Sequence, residues 1–259
     1  MTFGVCLGVE QLLRRCPAEA DYIELPGAAL RTLSPDAARQ LRAGIDEGIV
    51  KTYSCNSLIG SDLRLTGPAV DFSAIRAYCD ELFERLNEYG IQLLVFGSGK
   101  AKHVPDGFDM GRAWEQLFTL GDIMADAAEQ YGQTVAVEPL SYREVNIVNT
   151  VEDGAYYVRS VNRDNFKLLV DFYHFNNNGE DFSSINRHKQ LLVHTHFAAP
   201  ITRALPKSEQ DWALVTEWLT QLKRIGYTGG ISFEGSGADS EQLDAMLHNM
   251  KHIEKTLTV

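Results

Sequence analysis

Cysteine, positive charge and long apolar runs are all scarce in this chain, and each shortage removes a class of function. The four cysteines, Cys6, Cys16, Cys55 and Cys79, all fall in the first third and form no Cys-x-x-Cys pair. That set supports neither a disulfide nor a zinc framework, and Cys6 and Cys55 lie in strand-like runs that suit buried thiols. Formal net charge is −11, with no basic tail or stripe. This argues against holding nucleic acid through its phosphates and against an electrostatic membrane anchor, while leaving room for a small anionic substrate held by a few local cations. No apolar run approaches the roughly 20 residues of a membrane span. Residues 1–8 lack the charged leader, apolar stretch and cleavage site of a signal peptide. A reducing, cytoplasmic setting is therefore expected, with no nucleic-acid or membrane partner.

Nothing divides the chain either. It has no Pro/Gly/Ser-rich linker, low-complexity stretch or sequence repeat, and its 259 residues with a hydrophobic fraction of 44% suit one large domain over residues 1–259. The dinucleotide-binding fingerprint is missing. Gly97-Ser98-Gly99-Lys100 lacks the spacing and the final Ser or Thr of a nucleotide phosphate loop.

What is present is an unbroken alternation of strand-like and helix-like segments. Strand patterns cover residues 3–7, 22–25, 50–55, 91–96, 135–138, 168–171, 191–196 and 231–234. Between them run helical patterns: 71–89 with Ile75, Leu82 and Leu86, 110–131, 210–225 with Trp212, Trp218 and Leu222, and 239–257 with Leu243, Leu247, Met250 and Ile253. Eight such units in about 250 residues predict a single (β/α)8 TIM barrel, with an open doubly wound sheet as the runner-up.

The last four strands share a feature. Each apolar run ends in a residue able to bind a metal: Val135-Ala136-Val137-Glu138, Leu168-Leu169-Val170-Asp171, Leu191-Leu192-Val193-His194-Thr195-His196 and Ile231-Ser232-Phe233-Glu234. The intervals between these end residues are 33, 25 and 38 residues, about one strand–helix–strand unit each. A parallel barrel carries its chemistry at the carboxyl ends of its strands, so Glu138, Asp171, His196 and Glu234 are expected to converge. Three carboxylates and one imidazole suit Mn²⁺, Mg²⁺ or Co²⁺ better than a structural zinc, although Zn²⁺ can substitute. One divalent ion is expected, with Mn²⁺ the first choice. His194 shares a face with His196 but lies one layer down, which suits a hydrogen-bonded residue. Ala136 and Ser232 leave space beneath Glu138 and Glu234. Strands one, three and four end in Gly8, Asn56 and Gly97, so the polar groups are expected on one side of the barrel.

Loops beyond these strands supply further candidates: Glu144, His174 and Arg203. Gly235-Ser236-Gly237 could hold phosphate on backbone N–H groups or simply provide flexibility. His103, His188, His248 and His252 are assigned to surface or helix positions.

Val137-Glu138-Pro139-Leu140, Leu169-Val170-Asp171-Phe172-Tyr173-His174, His194-Thr195-His196 and Phe233-Glu234 resemble motifs of the sugar phosphate isomerase/epimerase family, with its xylose-isomerase-like barrel. Val95-Phe96-Gly97-Ser98-Gly99 with Val104-Pro105-Asp106-Gly107-Phe108 resembles another stretch of that family. The pattern is most similar to ketose 3-epimerases acting on tagatose and psicose. That resemblance implies one divalent metal on Glu138, Asp171, His196 and Glu234, with Glu138 and Glu234 also forming the acid/base pair. It implies that Glu144, His174 and Arg203 hold the substrate, a small sugar or sugar derivative. Arg203 stands seven residues after His196, where those epimerases have six. A homo-oligomer is compatible with the resemblance.

The chemistry accounts for these residue types independently. Removing a proton from a carbon beside a ketone builds up negative charge that a Lewis acid stabilises, and two carboxylates on opposite faces can take the proton and return it. Return to the same carbon inverts it; return to the neighbouring carbon interconverts ketose and aldose. Rival readings are a metal-dependent dehydratase of inositol-like or shikimate-like substrates, a non-catalytic sugar-binding or regulatory subunit, and a DNA-repair nuclease, the last opposed by the acidic balance.

Overall fold

Short apolar runs flanked by helices can bury both faces only as parallel strands, and the chain uses them that way. A computed structural model describes residues 1–258. The strands are β1 (Thr2–Cys6), β2 (Tyr22–Pro26), β3 (Thr52–Asn56), β4 (Leu93–Phe96), β5 (Thr134–Val137), β6 (Phe166–Asp171), β7 (Leu192–Phe197) and β8 (Gly230–Phe233). They form a closed barrel in chain order, all neighbours parallel, with β1 paired to β8. The closed (β/α)8 architecture replaces the open sheet held as runner-up.

Alternation along each strand sends one set of side chains outward. Leu94, Phe96, Val135, Val137, Leu168 and Val170 join the main core beneath the helices. Leu93, Val95, Ala136 and Leu169 form a separate small cluster inside the barrel. The rest of the interior is polar: Tyr22, Glu24, Ser54, His194, His196 and Ser232 are all buried there and hydrogen-bonded to one another. Gly4 makes this possible, because a Cβ at that position would run into the Tyr22 ring.

The long helices Phe72–Glu88, Met110–Glu129, Glu209–Arg224 and Ser240–Thr256 occupy the predicted segments. Each starts on a side-chain cap, from Asp71, Asp109, Ser208 and Asp239, that accepts an otherwise unpaired backbone N–H. Several short helices are additional, among them Gly27–Arg31 after β2, Gly99–Lys102 after β4 and Phe172–Asn177 after β6. Segments this short are not stable alone and take their shape from tertiary packing. Among the described residues no helix is long and apolar enough to cross a membrane.

Candidate active site

Strand geometry aims four side chains at one point. Asp171 ends β6 and pairs in register with His196 of β7. Glu138 and Glu234 each follow a strand by one residue, tied to the neighbouring strand through Glu138 N–H to the Phe96 carbonyl and Glu234 N–H to the Phe197 carbonyl, both 3.0 Å. One ligand-type atom from each of Glu138, Asp171, His196 and Glu234 lies within 4.8 Å of the others. Gly97, at the end of β4, has no side chain because the Glu138 carboxylate occupies the place a Cβ would take.

Three of these atoms, Glu138 Oε1, Asp171 Oδ2 and His196 Nδ1, are buried and have no hydrogen-bond partner. Buried polar atoms are ordinarily satisfied, so three orphans facing one another call for an explanation. A divalent cation would provide it. The donor set, three carboxylates and one imidazole, fits such an ion, and among the described residues it is the only group of four so arranged.

The electrostatics point the same way. Burial, together with the charges of Glu138 and Glu234, pushes the Asp171 carboxyl up to about 8. Burial also raises Glu138. Burial works to raise Glu234 too, but its contacts with His196 and Arg203 prevail and hold it at about 2. For His196, burial disfavours the charged ring, yet the surrounding carboxylates, Glu24 first, raise its pKa well above the ordinary imidazole value. Negative charge is thus crowded into a small buried space.

The first half of the barrel holds this group in place. Asn56 at the end of β3 donates from Nδ2 to Glu234 Oε1 at 2.9 Å. Lys102, fully buried, donates from Nζ to the Glu138 carbonyl at 3.2 Å. Burial lowers its pKa to about 8, against the opposing pull of Glu138 and Glu144. Glu24 of β2 accepts from His196 Nε2 at 2.8 Å. Asp171 is held by its own chain: its Oδ1 caps the helix Phe172–Asn177, accepting from Tyr173 N–H at 2.6 Å and His174 N–H at 3.3 Å. The four candidate ligands come from β5 to β8, on one side of the barrel as expected, and Asn56, Lys102 and Glu24 reach them from the first half. Strand ends alone miss Glu24, inside a strand, and Lys102, on a short helix.

Glu144, His174 and Arg203 gather at the mouth. Arg203 donates to Glu144 Oε1 at 3.1 Å and Glu234 Oε2 at 2.8 Å, and its guanidinium lies 4.9 Å from the centre of the Tyr173 ring. His174 Nδ1 accepts from Ser141 N–H at 3.2 Å. Burial, with Arg203 nearby, lowers the His174 pKa to about 3, and Arg203 Nη2 lies 3.5 Å from His174 Nε2. A cavity of 250 Å³ opens here, lined by Glu138, Glu234, Glu144 and Arg203 together with Gly97 and Ser98.

The remaining candidates fall elsewhere. His194 lies beneath His196, bonded to Glu24 and Ser232. In the loop after β8, Ser236 N–H donates to the Arg203 carbonyl at 3.0 Å, so that backbone donor braces the arginine loop. His188 ends a helix but is buried, between Glu152 and Arg159.

Residues 17–256 match the family model described as xylose isomerase-like TIM barrel. The chain belongs to that family. Among its curated relatives, a D-psicose 3-epimerase of Agrobacterium fabrum is 25% identical over 225 residues, spanning 83% of this chain and 70% of that protein. A D-psicose 3-epimerase of Ruminiclostridium cellulolyticum is 23% identical over 220 residues, spanning 83% of this chain and 73% of its own. In a crystal structure of D-psicose 3-epimerase in the presence of D-fructose, the same barrel superposes with a TM-score of 0.79 at 17% identity, covering 98% of each chain. That last likeness concerns the fold. Within the xylose isomerase-like family, what distinguishes a chain is the set of side chains around the mouth.

Proposed function

We propose that this chain is a divalent-metal-dependent epimerase of ketoses, in which Glu138 and Glu234 exchange a proton with the carbon beside the carbonyl. The observation that carries the reading is the convergence of Glu138, Asp171, His196 and Glu234 around three buried, unpartnered atoms. The curated relatives include D-psicose, L-ribulose and other ketose 3-epimerases, and the chain is an enzyme of the sugar epimerase and isomerase class.

Glu138 Oε1, Asp171 Oδ2, His196 Nδ1 and a carboxylate oxygen of Glu234 would hold the ion, with Mn²⁺ the first choice and Mg²⁺, Co²⁺ or Zn²⁺ as substitutes. When bound, a divalent ion supplies Lewis-acid stabilisation of negative charge on the substrate's oxygens. Glu138 and Glu234 reach the cavity from β5 and β8, on either side of Asp171 and His196, so that one carboxylate can take a proton from one face of a carbon and the other can return one to the opposite face. Arg203 steadies Glu234 and offers donors to the sugar. His174 hydrogen-bonds one hydroxyl through Nε2, and Glu144 accepts from another. The four free cysteines suit the reducing, cytoplasmic setting proposed for the protein.

The test is incubation of the metal-loaded protein with a panel of ketoses and aldoses in heavy water, followed by NMR. Deuterium at C3 together with the C3 epimer is expected. Deuterium accompanying an aldose product would make it an aldose–ketose isomerase. Loss of water without an isomer would make it a dehydratase, and full metal occupancy without exchange into any sugar would make it a binding subunit.

A further inference from the structure

Glu24 is a carboxylate sealed inside the barrel, 0% exposed. Four donors converge on it. His196 Nε2 reaches Oε1 at 2.8 Å, while Ser54 Oγ, Ser232 Oγ and His194 Nε2 reach Oε2 at 2.7, 2.8 and 3.0 Å. An ionised carboxylate only accepts hydrogen bonds, so both imidazoles must present Nε2 as N–H. For His196 this leaves Nδ1 as the atom facing Glu138 Oε1 at 3.5 Å and Glu234 Oε2 at 3.7 Å, where it has no hydrogen-bond partner. Turning the ring over would break its bond to Glu24 and deprive a buried carboxylate of a donor.

We propose that Glu24 is the positioning residue that sets the ring orientation and tautomer of His196, presenting Nδ1 to a divalent cation. This rests on reading Glu138, Asp171, His196 and Glu234 as the metal centre. His194, Ser54 and Ser232 serve in turn to hold Glu24. The role explains the doublet His194-Thr195-His196: two imidazoles two residues apart share one face of β7, and one carboxylate from β2 links them. Cys6, Glu24 and His196 also bring ligand-type atoms within 4.8 Å of one another. Both oxygens of Glu24 already accept hydrogen bonds and His196 Nε2 already donates one, so that trio does not hold a second ion.

The test compares wild type with Glu24→Gln, which keeps the size of the side chain but replaces one acceptor oxygen with a donor. Mn²⁺ and Zn²⁺ affinities are measured by calorimetry. Imidazole protons are read by NMR on protein labelled with ¹⁵N-histidine, metal-free and Zn²⁺-loaded. Wild type is expected to bind one ion and to show protected, low-field Nε2–H protons on both His194 and His196. Glu24→Gln is expected to bind on the order of 10–100-fold more weakly, the usual range for losing a partner of a ligating histidine, and to lose or shift those proton signals. Should Glu24→Gln not fold, Ser54→Ala removes one donor to Glu24 and is expected to weaken binding by roughly two- to tenfold. Unchanged affinity in a folded variant, a His196 in wild type whose Nε2 carries no proton, or uptake of a second ion would each overturn the positioning role alone. Wild type that binds neither Mn²⁺ nor Zn²⁺ overturns the metal reading and the role together.

Discussion

The barrel interior has a dry side and a wet side. Beneath Glu138 lie Leu93, Val95, Ala136 and Leu169, packed as one small apolar cluster. Beneath His196 and Glu234 it is filled by Tyr22, Glu24, Ser54, His194 and Ser232, joined by hydrogen bonds. Two glutamates at equivalent strand ends consequently meet different surroundings. Burial raises the pKa of Glu138, whereas His196 and Arg203 hold Glu234 at about 2. Identical side chains acquire different proton affinities from the balance of burial and neighbouring charge at each, which is how one reaction can use two carboxylates in two roles.

The strongest way to probe this asymmetry is at the two glutamates. Glu138→Gln and Glu234→Gln, assayed at saturating metal, should each lose on the order of 10²–10⁴-fold in turnover, the range for a positioned acid or base. Wild-type turnover in both would remove the two-carboxylate mechanism. Next in size comes Asp171→Ala. It should abolish stoichiometric metal uptake in elemental analysis and also cost about 1 kcal/mol by removing the cap of the helix Phe172–Asn177; retained metal would show that Asp171 is not a ligand. Val95→Thr keeps the shape of the side chain but places a hydroxyl on the dry side. Chemical denaturation should register a loss of about 1–3 kcal/mol, and a neutral result would mean that water or a polar partner reaches that layer. The smallest expected effect on the site is that of His194→Ala. It should leave metal stoichiometry unchanged and lower affinity by roughly two- to tenfold, by removing one donor to Glu24. Loss of the ion altogether would make His194 a ligand.

The same division governs what can be read from the amino-acid order. The barrel is legible because buried parallel strands appear as continuous apolar runs between helical patterns. Glu138, Asp171, His196 and Glu234 stand out because each interrupts such a run where it leaves the core. Asn56 also ends a strand, but its bond to Glu234 links residues 178 apart, and nothing local announces it. Glu24 leaves a fainter trace, a charge inside the apolar run Tyr22-Ile23-Glu24-Leu25. Its meaning depends on Ser54, His194 and Ser232, which arrive from three other strands. Lys102 gives no signal, since its burial depends on a four-residue helix that packing alone stabilises. Local patterns reveal what points into the site; what holds it there depends on closure of the ring.

That closure has a kinetic consequence. The contacts of Glu24 with His194, His196 and Ser232 join residues 170, 172 and 208 apart in the chain. Contacts so distant in sequence carry a large loop-closure entropy and form late unless earlier structure has brought their ends together. The segment from β5 to β8 contains all four candidate ligands, but His196 gains its partner only when β1 pairs with β8 and brings β2 alongside. Completion of the proposed metal centre therefore requires the seam between β8 and β1 to close, and an ion bound there is expected to act as a latch on that seam, slowing its reopening.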